Sequence, residues 1–130
     1  MIFCEEIKKN EVLKTALKLI GESQKTINMT MNMADELTNP LPAIYHRKLL
    51  KLIQKNIKID RIVFGPKKLF KKITDKYPEI NIKYGGDLNK YQRFLIIDKK
   101  MGIFSLNGHV FFSQYEPLIK SLLEYVKIYK

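Results

Sequence analysis

Residues 91–98 read Tyr-Gln-Arg-Phe-Leu-Ile-Ile-Asp, which sets a phenol, a guanidinium and a carboxylate around one short apolar run. Tyr91 and Arg93 are two apart, the spacing that shares a face of a strand. A guanidinium presents a planar fork that matches phosphate bidentately. A phenol titrates near pH 10, so at neutral pH it is a poor nucleophile without strong activation. Upstream, Asn28, Thr30 and Asn32 alternate with Ile27, Met29, Met31 and Met33. Polar groups on a covered strand face must find partners. They could line a polar cleft together with Arg93, or mark a sheet face that is partly wet.

Other groups carry weaker signals. Gly65-Pro66-Lys67-Lys68 sets a helix start beside two lysines, where anions bind readily. Lys67, Lys68, Lys71 and Lys72, with Lys76, could track a phosphate backbone or form a solvated face. His109 follows the glycine of a turn and reads as a strand-end residue or a stray acid/base group. His46, beside Arg47 and Lys48, reads as surface. The two histidines lack the flanking cysteines or paired carboxylates of a metal site, so neither a metal nor a cofactor is expected. Cys4 is the single cysteine and has no disulfide partner within the chain.

The elements that must hold these groups follow from periodicity. Val12, Leu13, Ala16, Leu17 and Ile20 give helical spacing over 10–22, with Asn10 as N-cap. Residues 26–33 alternate as a strand. Two prolines mark 35–42 as a loop. Tyr45, Leu49, Leu50 and Ile53 stripe a second helix ending near Asn56. A β-branched strand runs 57–64, and Pro66 opens a third helix that buries Leu69, Phe70, Ile73 and Tyr77. Ile80, Ile82 and Tyr84 form a short strand stopping at Gly85-Gly86. Residues 93–98 make an almost wholly apolar strand, the kind covered on both faces. Residues 101–106 and 109–112 are joined by Asn107-Gly108, a two-residue hairpin signal. Ser113 and Glu116 have capping-box spacing before a last helix that runs to near Tyr129 and buries Leu118, Ile119, Leu122, Leu123 and Val126. The order α-β-α-β-α-β-β-β-β-α predicts parallel strands with crossover helices, then an antiparallel edge.

At 130 residues and 45% hydrophobic content the chain suits one packed domain spanning 1–130. No repeat, linker or low-complexity tract divides it. No apolar run reaches the roughly 18 residues of a membrane span. The acidic Glu5-Glu6 argues against a secretory leader, so a cytoplasmic location is expected. There are 24 Lys+Arg against 13 Asp+Glu, a net charge of +11. That surface attracts polyanions such as nucleic acid. A lysine- and isoleucine-rich composition of AT-rich or hot-growing organisms gives the same number.

The 91–98 layout resembles the phospholipase D signature, in which His, Lys and Asp take the places of Tyr91, Arg93 and Asp98. The strand–hairpin–strand that follows and the helix–strand alternation before it extend the resemblance over most of the chain. It implies an α/β fold: a three-layer α/β/α sandwich around a mixed sheet. In active members the histidine forms a phosphohistidine, the lysine steadies the phosphoryl oxygens and a second histidine protonates the leaving group. Here Tyr91 replaces the nucleophile. The family's Gly-Ser-x-Asn region is also altered: Ser105-Leu106-Asn107-Gly108 stands there, with Leu106 in the serine's place and Asn107 a candidate ligand contact. The tail from His109 to Leu118 and the final helix is similar to the end of the effector domain in archaeal TrmB-type transcription regulators. Those domains carry decayed phospholipase D-like sites and bind small molecules. Their N-terminal winged helix has no room ahead of Asn10. The resemblance therefore implies a non-catalytic binding or regulatory domain, linked to transcription regulation or to nucleic acid or a phosphorylated ligand. It would bind DNA itself or serve a DNA-binding regulator. The alternative is a divergent phosphodiesterase or nuclease using Tyr91 or His109. Single-motif members pair across a twofold axis, so a homodimer is expected by analogy.

Overall fold

The computed structural model describes residues 3–127, with side chains through 125. A seven-stranded mixed sheet runs through it in the order β1-β7-β6-β5-β2-β3-β4. The strands are β1 (Glu5–Ile7), β2 (Thr26–Asn32), β3 (Lys58–Phe64), β4 (Asn81–Gly86), β5 (Phe94–Ile97), β6 (Met101–Leu106) and β7 (His109–Ser113). The helices are α1 (Val12–Glu22), α2 (Met33–Thr38), α3 (Ala43–Gln54), α4 (Phe70–Lys76) and α5 (Glu116–Lys127).

β2, β3 and β4 are parallel, as their helical crossovers require. β5 lies antiparallel against the other side of β2, and short turns carry the antiparallel run on through β6 and β7. Asn107 and Gly108 both take positive φ, 51° and 79°, in the turn between β6 and β7, the backbone that a two-residue hairpin demands. Gly102 is fixed by crowding: a Cβ there would run into the Leu95 carbonyl and the Ile96 backbone.

The two sheet faces are covered unequally. One carries the larger core, with Ile20 of α1, Leu49 of α3 and Ile73 of α4 packed over Ile27, Ile59, Val63 and Ile97. On the other, Ile62, Phe64, Phe94, Ile96 and Phe104 pack with Ile119 of α5. Among the described residues, no helix is long and apolar enough to cross a membrane.

Several local expectations are corrected. Residues 9–11 form a 3₁₀ turn, so α1 starts at Val12 with Glu11 in the cap position, and Asn10 caps nothing. The segment expected to be a loop over 35–42 is α2 through Thr38. Asn32 ends β2 one residue early and its side chain accepts the Asp35 N–H at 3.3 Å, while Asp35 and Glu36 favour a helix N-terminus. Met33 is thus a buried helix residue, not a strand residue. The strand at 93–98 shortens to 94–97, because Asp98 and Lys99 turn with positive φ. The Ser113 hydroxyl takes the N–H of Tyr115 at 3.0 Å, not that of Glu116. β1 has no counterpart among the expected elements; it is three residues long and pairs only with β7. The expected burial of Val126 and helix end near Tyr129 lie outside the described residues.

Candidate functional site

Because β5 runs antiparallel to β2, the residues just before β5 arrive at the carboxyl ends of the parallel strands. That is where open α/β sheets bind ligands, in the crevice outside the carboxyl ends of the strands. Thr30 fixes the junction: its hydroxyl donates to the Gln92 carbonyl at 2.6 Å and accepts the Phe94 N–H at 3.0 Å. The Gln92 side chain donates to the Ser105 carbonyl at 2.7 Å, and Ser105 N–H to the Arg93 carbonyl at 3.1 Å. Tyr91 and Arg93 are thereby held on either side of a pinned backbone.

Both line a cleft of about 680 Å³, together with Thr30 and Asn32, a volume typical of small-ligand sites. Arg93 is exposed there, whereas Tyr91 is half-buried with its ring centroid 5.6 Å from that of Phe64. Burial pushes the Tyr91 phenol above its ordinary pKa; the positive charge of Arg93 and contacts to Thr30 and the Asn32 backbone offset this only in part.

Three further residues line the cleft that periodicity and motif do not single out as site residues. Arg61 points from the middle of β3 and Glu36 from α2, and both are buried; Tyr45 of α3 carries only a core signal in the sequence. The Tyr77 hydroxyl donates a short bond to Glu36, and Lys76 reaches the same oxygen at 3.4 Å. Burial lowers the pKa of Arg61 and raises that of Tyr45. The only sequence signal for Arg61 is that it alternates with Ile59 and Val63 on the face of β3 that packs into the core.

The remaining candidates lie elsewhere. Asp98 sits at the far end of β5. Its carboxylate accepts N–H groups from Gln24 at 3.1 Å, Lys25 at 2.8 Å and Thr26 at 3.1 Å. Partial burial pulls its pKa up, but these backbone donors carry it below its ordinary value. Asn28 is buried outside the cleft lining, its Oδ1 without a partner. Asn107 is exposed in the hairpin turn, where it supplies backbone geometry. His109 pairs with Glu6 at 2.9 Å on the β1–β7 edge. His46 is not simply surface: its ring lies 4.6 Å from Tyr77 and its Nδ1 is buried without a partner. Lys67 and Lys68 lie in a 3₁₀ turn over 67–69, so the helix expected to open at Pro66 starts only at Phe70; with Lys71 and Lys72 of α4 they are exposed, and Lys71 is bridged to Asp75 at 2.9 Å. No cluster of potential metal ligands occurs among the described residues.

No protein-family model and no curated protein sequence matches the chain. Solved structures do. A phospholipase D family member, Nuc from Salmonella typhimurium, superposes with a TM-score of 0.69 over 97% of this chain and 91% of its own, at 10% identity. The fold is that of the phospholipase D family. NucT from Helicobacter pylori gives 0.59 over 95% of this phospholipase D-like chain and 92% of its own, at 15% identity. TrmBL2, an archaeal chromatin protein with a novel mode of DNA binding, gives 0.65 over 100% of this chain at 16% identity. The chain spans 51% of TrmBL2's length.

Proposed function

We propose that this phospholipase D-like domain is a binding and regulatory module that receives an anionic ligand in its cleft without turning it over. The observation that carries this reading is Tyr91: where the phospholipase D signature that residues 91–98 resemble has its histidine, this chain has a half-buried phenol whose pKa burial raises. Asp98, spent on three backbone N–H groups, is not available to the cleft. Arg93 stays exposed on the cleft and suits a phosphate. A role in transcription regulation, with nucleic acid or a DNA-binding regulator as partner, is supported by the likeness to TrmBL2 and by the +11 charge. A homodimer pairing the two clefts is part of the same reading.

The test is a metal-free assay with bis(4-nitrophenyl) phosphate and with single- and double-stranded DNA. No turnover is expected, and Arg93→Gln should weaken binding of phenyl phosphate by about tenfold, the loss of one charge-assisted pair. Turnover that Tyr91→Phe abolishes would instead establish a divergent phosphodiesterase.

A further inference from the structure

Arg61 poses a charge problem that the other described residues do not solve. Only 2% of the residue is exposed. A guanidinium keeps its proton in a protein, so a cation is buried. Its Nε donates to the Met29 sulfur at 3.1 Å, a weak acceptor. The Tyr77 ring lies 5.1 Å from Cζ and gives some cation–π support. Nη1 is buried with no hydrogen-bond partner. Among the described residues no carboxylate comes within 4.0 Å of it; Glu36, the acid that acts on it through space, is engaged by Tyr77 and Lys76. Buried charges are ordinarily paired, because desolvation without a partner is severely unfavourable.

Arg61 also lines the cleft. The wall beside it is apolar: Leu13 of α1 and Met29, Met31, Leu95 and Ile103 of the sheet. An inorganic ion would leave that wall and most of the 680 Å³ wet. We infer that the cleft takes a small organic anion whose carboxylate or phosphate pairs with Arg61 while its apolar body lies along Leu13, Met29, Met31 and Ile103. This rests on the cleft being a binding site, and it places an anion at Arg61 in addition to the exposed Arg93.

Calorimetric titration with hexanoate, hexyl phosphate, 1-hexanol and inorganic phosphate at constant ionic strength tests it. At least one of the two hexyl anions should bind at least tenfold tighter than both hexanol and inorganic phosphate; which one shows whether carboxylate or phosphate is preferred. Arg61→Met should weaken that anion at least tenfold. Without ligand it should melt at or above the wild-type temperature, since it removes an unpaired buried charge while keeping an apolar side chain of similar reach; the lost binding is then not lost folding. Hexanol binding as tightly as the anions, no binding by any probe, or wild-type affinity in Arg61→Met would overturn the inference. Turnover abolished by Tyr91→Phe would overturn the proposed function and leave Arg61's role standing.

Discussion

The Asp98 carboxylate accepts three consecutive backbone N–H groups, so its ionised form serves the sheet and not a ligand. Asn tolerates the positive φ of 54° at this position, which makes Asp98→Asn a clean removal of charge. The substitution should cost about 1 kcal/mol at pH 7, the usual scale of a charge-assisted bond at a partly exposed site. The native pKa is depressed, so the stabilisation is present above the unfolded value near 3.9 and is lost as pH falls through the native value. Urea unfolding should therefore show the difference between wild type and Asp98→Asn at pH 7 and see it disappear only once the pH has fallen through the depressed native pKa of the Asp98 carboxyl. The residue pattern 91–98 is legible because charges bracketing an apolar run stand out in a sequence. What it does not reveal is that one end of the run faces the cleft and the other clasps residues 24–26. Arg61 and Glu36 are harder still: each stands next to another charged residue, Asp60 or Asp35, and nothing in the sequence says which member of the pair is buried until α2, α3 and α4 are folded over the sheet.

At the level of elements, α5 has an outsized task. Ile119, 1% exposed, packs against Ile62, Phe64, Phe94, Ile96 and Phe104 on a face where it is the only fully buried helical residue of the cluster among the described residues. Ile119→Ala should cost about 3 kcal/mol, transfer plus cavity, read as a lower urea midpoint with an unchanged slope. Retention of the wild-type midpoint would show that α5 does not hold this face. The long strands and helices are readable from apolar period alone, because each buries one face along several turns or pleats. β1 is not, since three residues are too few to display a period. α2 is hidden by Pro40 and Pro42, which follow it closely and give its segment the composition of a loop; its start signal is the Asn32 cap, three residues ahead of an N–H it can accept.

For the molecule as a whole, charge and topology lead to separate consequences. If the +11 charge is a nucleic-acid footprint, DNA affinity should fall steeply between 50 and 200 mM salt. Glu at Lys67, Lys68 and Lys72 together should flatten that dependence by about 0.9 for each phosphate no longer neutralised. A salt slope unchanged by those substitutions would exclude this strip as the DNA-facing surface. The topology bears on synthesis. β2 sits in the middle of the finished sheet, yet its neighbour β5 follows some sixty residues later, and the Asp98 clasp spans 72 to 74. A ribosome that has released only the first ninety residues has let out β2, β3 and β4 with one flank of β2 bare, its amides unsatisfied and Ile27, Met29 and Met31 alongside. Such a nascent intermediate is prone to pair with other chains, so β5, arriving late, is also the strand that protects the domain from itself.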